Sequence, residues 1–200
     1  MTYEKIYDIV KQKFSGVYLN RFIHMEGVVK MALRLNEHHG LNLNPEKVKL
    51  AGLLHDYAKI IKISELEEVI RKEYSGELLE NILEVPATYH SFAGAYYIKR
   101  DFNIDDEEIL DAVIYHTTGK KDMAPLTKLI FISDYIEEGR NFESALIARQ
   151  VAFEDLDLAV VKVYELGIKK VQKANQKLFK GTEAIYKYYL ERMNLKNWNC

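Results

Sequence analysis

The sequence predicts an all-α protein, and three observations support this fold class. Apolar residues recur at the three- and four-residue spacing of an amphipathic helix along most of the 200 residues. Ten glycines and three prolines make up about half of the usual share of these residues, so the chain has few turn signals. It contains no Asn-Gly hairpin signal and no internal repeat. We therefore expect a bundle of helices in a single domain, because domains usually have ~100–200 residues.

In the first half of the chain, five segments have this helical spacing. The third is expected to begin with an N-cap and a first-turn proline, Asn44 and Pro45, and to continue to Ala58. The fourth is expected to begin with a capping box formed by Ser64 and Glu67. The five segments cover residues 3–14, 21–38, 45–58, 64–72 and 76–83.

Five further helical segments follow Pro86. Asp105 opens the second of them and places acidic residues in its first turn, where they interact favourably with the helix dipole. Gly181 separates the last two segments. The five segments cover residues 88–99, 105–116, 126–137, 144–179 and 182–194. Three tyrosines in the last segment predict packing either inside the protein or against a second copy in a homodimer: Tyr186, Tyr188 and Tyr189.

The charge balance excludes several classes of protein. The formal net charge is −2 and the isoelectric point is near 6.3, so the chain lacks the broad basic surface of a general nucleic-acid binder. No apolar run approaches the ~18 residues that span a bilayer. Acidic residues interrupt the first apolar stretch, unlike those of a signal peptide. The single cysteine, Cys200, allows no disulfide within one chain. We expect a cytoplasmic, soluble protein without a stable nucleic-acid or membrane partner.

Two of the six histidines are expected to have a structural role. His38 and His39 lie at the polar end of a helix beside Gly40, where the C-terminal dipole favours positive charge. The remaining four lie within or at the ends of apolar segments, and two aspartates share that property. These six residues are His24, His55, Asp56, His90, His116 and Asp134.

This set of side chains could hold metal ions. An aspartate directly after Leu53 and Leu54 must be paired, metal-bound or exposed, and an ion pair of Asp56 with Lys59 is the simpler alternative. Four imidazoles and two carboxylates suffice for two divalent cations that share Asp56 and keep positions open for water. The donor set suits Fe, Mn, Ni, Co or Zn better than Mg or Ca, which prefer oxygen ligands.

The order of the six residues resembles that of the HD-domain superfamily of metal-dependent phosphohydrolases. Four motifs carry a closer resemblance, to the branch of bacterial symmetrical diadenosine tetraphosphatases, over roughly residues 18–190. The His-Asp doublet is unspecific, whereas the last two motifs are much more specific. The motifs are Arg21-x-x-His24, Leu53-Leu-His-Asp-Tyr-Ala-Lys59, His116-Thr-Thr-Gly119 and Ser133-Asp-Tyr-Ile-Glu-x-x-Arg140.

This resemblance implies an activity, a domain and a metal centre. The activity is hydrolysis of diadenosine tetraphosphate to two ADP. The domain is a single HD-type helical bundle over residues 1–200, with a core at about 18–145 on which the C-terminal helices of 146–194 pack. The metal is iron, with Mn, Ni, Co or Zn as alternatives. One ion would be held by His24, His55, Asp56 and Asp134, and the other by His90 and His116, with Asp56 bridging.

The resemblance also implies roles in catalysis and substrate binding. Asp56 and Lys59 are implied as catalytic residues. Several residues match positions near the nucleotide phosphates or sugar: Arg21, Lys59, Thr117, Tyr135 and Arg140. Thr182 lies in a C-terminal segment that is expected to close over the nucleotide.

Three positions depart from the pattern of the family. Ser91, Ser133 and Glu138 stand where the family often has glycine, alanine and proline. None of these changes removes a metal ligand, but the charge of Glu138 near a polyphosphate could alter substrate preference. The same centre could therefore serve a nucleotide phosphatase or a cyclic-dinucleotide phosphodiesterase. Two alternatives without catalysis are a module that binds ADP as a sensor and an RNA-associated assembly factor.

Overall fold

The computed structural model describes residues 1–198, and Cys200 lies outside the described residues. Within them the chain forms α-helices joined by short loops and has no strand, which confirms the predicted all-α class. Short 3₁₀ helices cover Gly16–Tyr18, Tyr57–Ile60 and Pro86–Thr88. The α-helices are α1 (Tyr3–Lys13), α2 (Leu19–His38), α3 (Pro45–Leu54), α4 (Ile63–Glu73), α5 (Gly76–Leu83), α6 (Tyr89–Phe102), α7 (Glu107–Tyr115), α8 (Pro125–Ile136), α9 (Glu143–Glu154), α10 (Leu156–Lys173) and α11 (Thr182–Trp198).

Helices α2, α3, α6, α7 and α8 form the centre of the molecule. Two buried apolar clusters stabilise it, one mainly around α8 and α10 and one mainly around α1, α4 and α6. Helices α2, α3 and α7 contribute to both clusters: Ala32 of α2 belongs to the first, and Met25 of the same helix belongs to the second. Burial of apolar surface in both clusters therefore fixes the positions of the central helices relative to one another.

The third predicted helix ends earlier than its apolar spacing indicates. Helix α3 stops at Leu54 instead of continuing to Ala58, and a 3₁₀ turn follows from Tyr57. At its end, Nδ1 of the buried His55 lies 2.7 Å from the carbonyl oxygen of Gly52. The predicted N-cap is confirmed, because the side chain of Asn44 accepts a hydrogen bond from the third residue of the Asn-Pro-Glu sequence.

Three other boundaries differ from the prediction. Helix α4 begins at Ile63 with no side-chain cap, so the capping box proposed for Ser64 is wrong. Helix α7 is capped by Asp106, whose side chain accepts two backbone N–H groups, and not by Asp105. The long segment over 144–179 is divided at Asp155, which caps α10 by accepting a hydrogen bond at 2.8 Å from a backbone N–H.

Among the C-terminal helices, α9 and α10 pack on α8 and on each other, and α11 packs on α10. Tyr189 of α11 is buried, accepts a hydrogen bond from the backbone of Met123 and donates one to the carbonyl of Lys120. Tyr189 therefore packs inside the protein, as one of the two alternatives predicted, and the homodimer stays a prediction. Among the described helices, none combines the length and the apolar character that crossing a membrane requires.

Candidate metal centre

The central helices bring the six predicted ligand residues together. His24 lies in α2, His90 in the first turn of α6 and Asp134 in the last turn of α8. His55 directly follows α3 and His116 directly follows α7, so both lie where a helix gives way to a turn. The four histidines and Asp56 are buried, and the Asp134 side chain is one-quarter exposed.

Asp56 faces two different pairs of histidines. Its Oδ1 atom lies 3.2 Å from Nε2 of His90 and 3.5 Å from Nε2 of His116. Its Oδ2 atom lies 3.6 Å from Nε2 of His55 and 3.9 Å from Nε2 of His24. Each carboxylate oxygen thus lies near one pair of imidazoles, an arrangement that allows Asp56 to bind one cation through each oxygen.

Asp134 joins one of the two histidine pairs. Its Oδ1 atom lies 3.0 Å from Nε2 of His24 and 3.8 Å from Nε2 of His55. Within each pair the Nε2 atoms also approach each other, to 3.3 Å between His24 and His55 and to 3.1 Å between His90 and His116. Because these nitrogens converge with carboxylate oxygens, the centre offers two adjacent groups of imidazole and carboxylate donors.

The protonation states of the buried groups fit a cation site. Burial lowers the pKa of His55 to about 4 and that of His90 to about 4, so both imidazoles keep a free lone pair at neutral pH. Burial alone would raise the pKa of Asp56, but the neighbouring His55, His116 and His90 outweigh it and hold this pKa well below its usual range. Neutral imidazoles and ionised carboxylates are the forms that bind a metal ion.

The second ring nitrogens orient three of the imidazoles. Nδ1 of His55 lies 2.7 Å from the carbonyl oxygen of Gly52, and Nδ1 of His116 lies 2.7 Å from the carbonyl oxygen of Val113. A proton on Nδ1 in this contact leaves the lone pair on Nε2, which points into the centre. Outer contacts of this kind fix the tautomer and ring orientation of metal-ligating histidines in general.

Glu137 orients the third imidazole, and the sequence did not predict this role. Its Oε1 atom lies 3.2 Å from Nδ1 of His24, and its Oε2 atom accepts the backbone N–H of Gly139 at 2.6 Å. The residue is only 4% exposed. A Cβ atom at Gly27 would lie 2.4 Å from Glu137 Oε2, so this glycine provides the space for the carboxylate. The available signals were the position of Glu137 in the Asp-Tyr-Ile-Glu motif and this glycine on α2.

The predicted substrate-binding arginines line the mouth of the centre. Nη1 of Arg21 donates a hydrogen bond to Asp56 Oδ2 at 2.7 Å, so Asp56 forms an ion pair with Arg21 and not with Lys59, which was the alternative to a metal site. Nη2 of Arg140 donates to Asp134 Oδ1 at 3.2 Å. Lys59 is exposed on the 3₁₀ turn, and its positive charge interacts with the Asp56 carboxylate.

Arg149 of α9 holds the loop that carries Glu137 and Arg140. Its guanidinium donates to the carbonyl oxygens of Ile136 at 2.6 Å, Glu137 at 2.6 Å and Arg140 at 2.9 Å. Three hydrogen bonds from one planar group restrict the loop on several sides. No pattern in the sequence indicates this contact, which connects residues 9 to 13 positions apart through a loop.

The other predicted substrate residues lie near an apolar cavity of about 210 Å³, here called the aromatic cavity. Thr117 lines it, and the Thr117 hydroxyl lies 3.3 Å from Nε2 of His90. Tyr135 and Thr182 line it as well. The walls also include Phe131, Tyr164 and Phe179. The C-terminal segment therefore reaches this cavity through Thr182, which is buried, and its closure over a nucleotide stays a prediction.

Gly119 shapes the loop after α7. Its φ angle is +61°, in the left-handed region that favours glycine, and a Cβ atom there would lie 1.8 Å from the hydroxyl of Tyr164. That hydroxyl donates to the carbonyl oxygen of Thr118 at 2.9 Å. Glycine is thus required by conformation and by space at the end of the His-Thr-Thr-Gly motif.

The remaining two histidines lie outside the centre, as predicted. His38 Nε2 lies 2.7 Å from the carbonyl oxygen of Phe153, and His39 Nε2 lies 2.7 Å from that of Ala152. Both carbonyls belong to the last turn of α9, where intrahelical donors are lacking. These two histidines therefore connect α2 to α9 and take no part in the group of ligands.

Comparison with known proteins assigns the chain to a family. The HD domain matches residues 21–139, which include all six converging side chains. This chain belongs to the HD domain family. A crystal structure from Clostridium acetobutylicum, described as a predicted HD superfamily hydrolase involved in NAD metabolism, superposes with a TM-score of 0.85. It is 32% identical, and the match covers 96% of this chain and 98% of the other.

Two bacterial relatives with assigned activities are similar over most of their length. The symmetrical bis(5'-nucleosyl)-tetraphosphatase of Bacillus subtilis is 33% identical over 189 residues, which cover 94% of this chain and 97% of the relative. The enzyme of the same name from Staphylococcus aureus is 30% identical over 200 residues, which cover 100% of this chain and 96% of the relative. The predicted resemblance to this branch of the HD family is thereby confirmed.

Proposed function

We propose that this HD-family protein is a symmetrical bis(5'-nucleosyl)-tetraphosphatase that hydrolyses diadenosine tetraphosphate to two ADP. The observation that carries the proposal is the position of Asp56 between two pairs of imidazoles, one pair facing each oxygen. The full-length similarity to enzymes of this activity supports the choice of substrate. A centre with a shared carboxylate is typical of hydrolases that act on phosphate bonds with two metal ions.

The donor set supports a pair of divalent cations in this protein. We assign His24, His55 and Asp134 to one ion and His90 and His116 to the other, with Asp56 shared. Imidazole-rich sites suit iron and its neighbours, and we take iron as the ion in this protein, with Mn, Ni, Co and Zn as alternatives. Bound there, the cations would activate a water molecule for attack and neutralise charge on phosphoryl oxygens.

Positively charged side chains around the centre would neutralise the negative charge of the polyphosphate. Arg21, Lys59 and Arg140 place positive charge at the mouth, where the anionic oxygens of a tetraphosphate would lie. When the substrate arrives, Arg21 can exchange Asp56 for a phosphate, because its side chain is still 38% exposed. Positive groups fixed in this way stabilise the negative charge that builds up on the leaving ADP.

The aromatic cavity can receive one nucleoside of the substrate. Its walls are mostly apolar and include the rings of Phe131, Tyr135 and Phe179, which suit a purine. Phe179 is itself held by stacking on Phe92, with ring centroids 5.4 Å apart. Thr117 connects this cavity to the centre, since its hydroxyl lies next to His90. A nucleoside held there would place its phosphates towards the ligand cluster.

Product analysis tests this function directly. Purified protein loaded anaerobically with ferrous iron should convert diadenosine tetraphosphate to ADP alone, as measured by anion-exchange chromatography. Asp56→Ala should abolish turnover and keep the helical circular dichroism, whereas Asp111→Asn, an acid paired with Lys120 outside the centre, should remain active. Products of AMP and ATP, or full turnover by Asp56→Ala, would contradict the proposal.

A further inference from the structure

A second cavity borders the centre on the side of His24, and its role is not explained by the binding of one nucleotide. It has a volume of about 510 Å³ and is here called the arginine cavity. Arg21 and Arg140 line it together with His24 and the buried Glu137, and its outer wall includes the exposed side chains of Val17, Tyr18 and Ile23. The aromatic cavity reaches the centre at Thr117, beside His90, and so from the other histidine pair.

The volumes of the two cavities indicate that a long substrate needs both. The aromatic cavity, at about 210 Å³, lies below the ~300–1,000 Å³ that drug-sized ligands usually occupy. A cavity of this size cannot hold two nucleosides and four phosphates. The arginine cavity supplies the missing volume and lies directly beside the ligand cluster.

We propose that the arginine cavity binds the second nucleoside diphosphate half of the dinucleoside tetraphosphate, an inference that rests on the function proposed above. The phosphates of this half would lie along Arg21 and Arg140, whose side chains are 38% and 34% exposed and carry the complementary charge. The base would lie against the apolar outer wall, which is open to solvent.

The exposure of the outer wall supports a contact with substrate. Val17 is 91% exposed, Ile23 54% and Tyr18 44%, although all three are large apolar or aromatic side chains. They lie together at the mouth of a cavity that holds Arg21 and Arg140, so a flat, partly apolar group attached to phosphates complements them. Stacking on Tyr18 would depend little on which base is present, because every base offers a π-face.

The two ends of a symmetrical substrate are therefore held differently. The end in the aromatic cavity is held mainly by apolar walls, and the end in the arginine cavity is held by charge and by an exposed apolar wall. The enzyme should accept substrates in which one nucleoside is adenosine and the other varies. Turnover of the adenosine, guanosine and uridine versions of the second half should differ by no more than about threefold, since base stacking discriminates weakly.

This assignment is tested by removing the second adenosine from the substrate and the Tyr18 ring from the protein, separately and together. Diadenosine tetraphosphate and adenosine 5'-tetraphosphate differ only in the second adenosine, and Tyr18→Ala removes the side chain proposed to contact it. We expect the variant to raise KM for the dinucleotide about 5- to 10-fold, the loss of one stacking contact, and to leave KM for adenosine tetraphosphate unchanged. Ile23→Ser should have the same selectivity with a smaller effect. Leu19→Ala is the matched control, because Leu19 directly follows Tyr18 and is 50% exposed but does not line the cavity.

The outcomes separate this inference from the proposed function. If wild-type protein hydrolyses neither compound, the proposed function is wrong. If it hydrolyses the dinucleotide with a KM equal to that of adenosine tetraphosphate, or if Tyr18→Ala changes both KM values equally, the second binding site is wrong while the function stands. A wall variant that changes only the sedimentation coefficient would identify the wall as an interface between copies and would also overturn the inference.

Discussion

Removing the Asp56 carboxylate should abolish stabilisation of the fold by divalent metal. Asp56 offers Oδ1 to His90 and His116 and Oδ2 to His55 and His24, at distances of 3.2 to 3.9 Å. In Asp56→Asn one of these oxygens becomes an NH₂ group, which donates and cannot bind a cation. The negative charge of Asp56, which lies between the two pairs of histidines, is lost as well. The variant should therefore bind neither ion well.

The size of the effect follows from mass action. A metal present at 100 times its dissociation constant stabilises the folded state by about 2.7 kcal/mol. For a chain of 150–250 residues, each kcal/mol raises Tm by about 2–4 °C, so the wild-type protein should gain about 5–11 °C for each ion bound. Asp56→Asn should gain less than about 2 °C at the same metal concentration.

Differential scanning calorimetry of chelated protein, with and without Mn²⁺ as an air-stable substitute for ferrous iron, measures this difference. Asp111→Asn serves as the matched control and should keep the full wild-type response, because Asp111 binds Lys120 and Thr127 outside the centre. An unchanged Tm of the wild-type protein on metal addition, or an equal gain in Asp56→Asn, would refute the assignment of Asp56.

Four further predictions concern other residues. Ser133→Ala should raise Tm of the metal-free protein by about 2–4 °C, because the buried Ser133 hydroxyl lacks a hydrogen-bond partner among the described residues; a lower Tm contradicts this. Gly119→Ala should cost more than about 2 kcal/mol in denaturant unfolding, and adding Tyr164→Phe should recover part of the loss, whereas additive losses would exclude the predicted clash. Arg149→Met should reduce kcat by about 10- to 100-fold through misplacement of its loop, with partial recovery in Arg149→Lys; wild-type kcat in Arg149→Met would show that the loop does not need it. Burial opposes ionisation of Asp101, but hydrogen bonds from the neighbouring arginine and tyrosine outweigh it and lower its pKa to about 2. The stabilisation is therefore complete above the unfolded pKa of about 3.9 and is lost as pH falls towards 2, so Asp101→Asn should flatten unfolding free energy against pH in this window.

The ligand residues could be predicted because each disturbs a strong local pattern. His55, Asp56 and Asp134 interrupt or end apolar helical runs, where an unpaired polar group is costly. Burial therefore had to be compensated, and a metal centre was one of few ways to do so. The predicted domain boundaries at residues 18–145 and 146–194 stay a prediction, although α10 does pack on α8 and α11 packs on α10.

Contacts between distant residues could not be predicted in the same way. Glu137 and His24 are 113 positions apart, and only the packing of α2 against the end of α8 brings them together. The early end of α3 has a different, local cause, since the apolar spacing continues while the His55 side chain turns back to contact the carbonyl oxygen of Gly52. The division at Asp155 was visible in principle, because aspartate is a common N-cap.

A crystal structure of the iron- or manganese-loaded protein with an anomalous difference map tests the central claim most directly. We predict two strong peaks, one beside each oxygen of Asp56, with one contacted by His24, His55 and Asp134 and the other by His90 and His116. A single peak, or peaks bound by residues other than these six, would contradict the proposed centre.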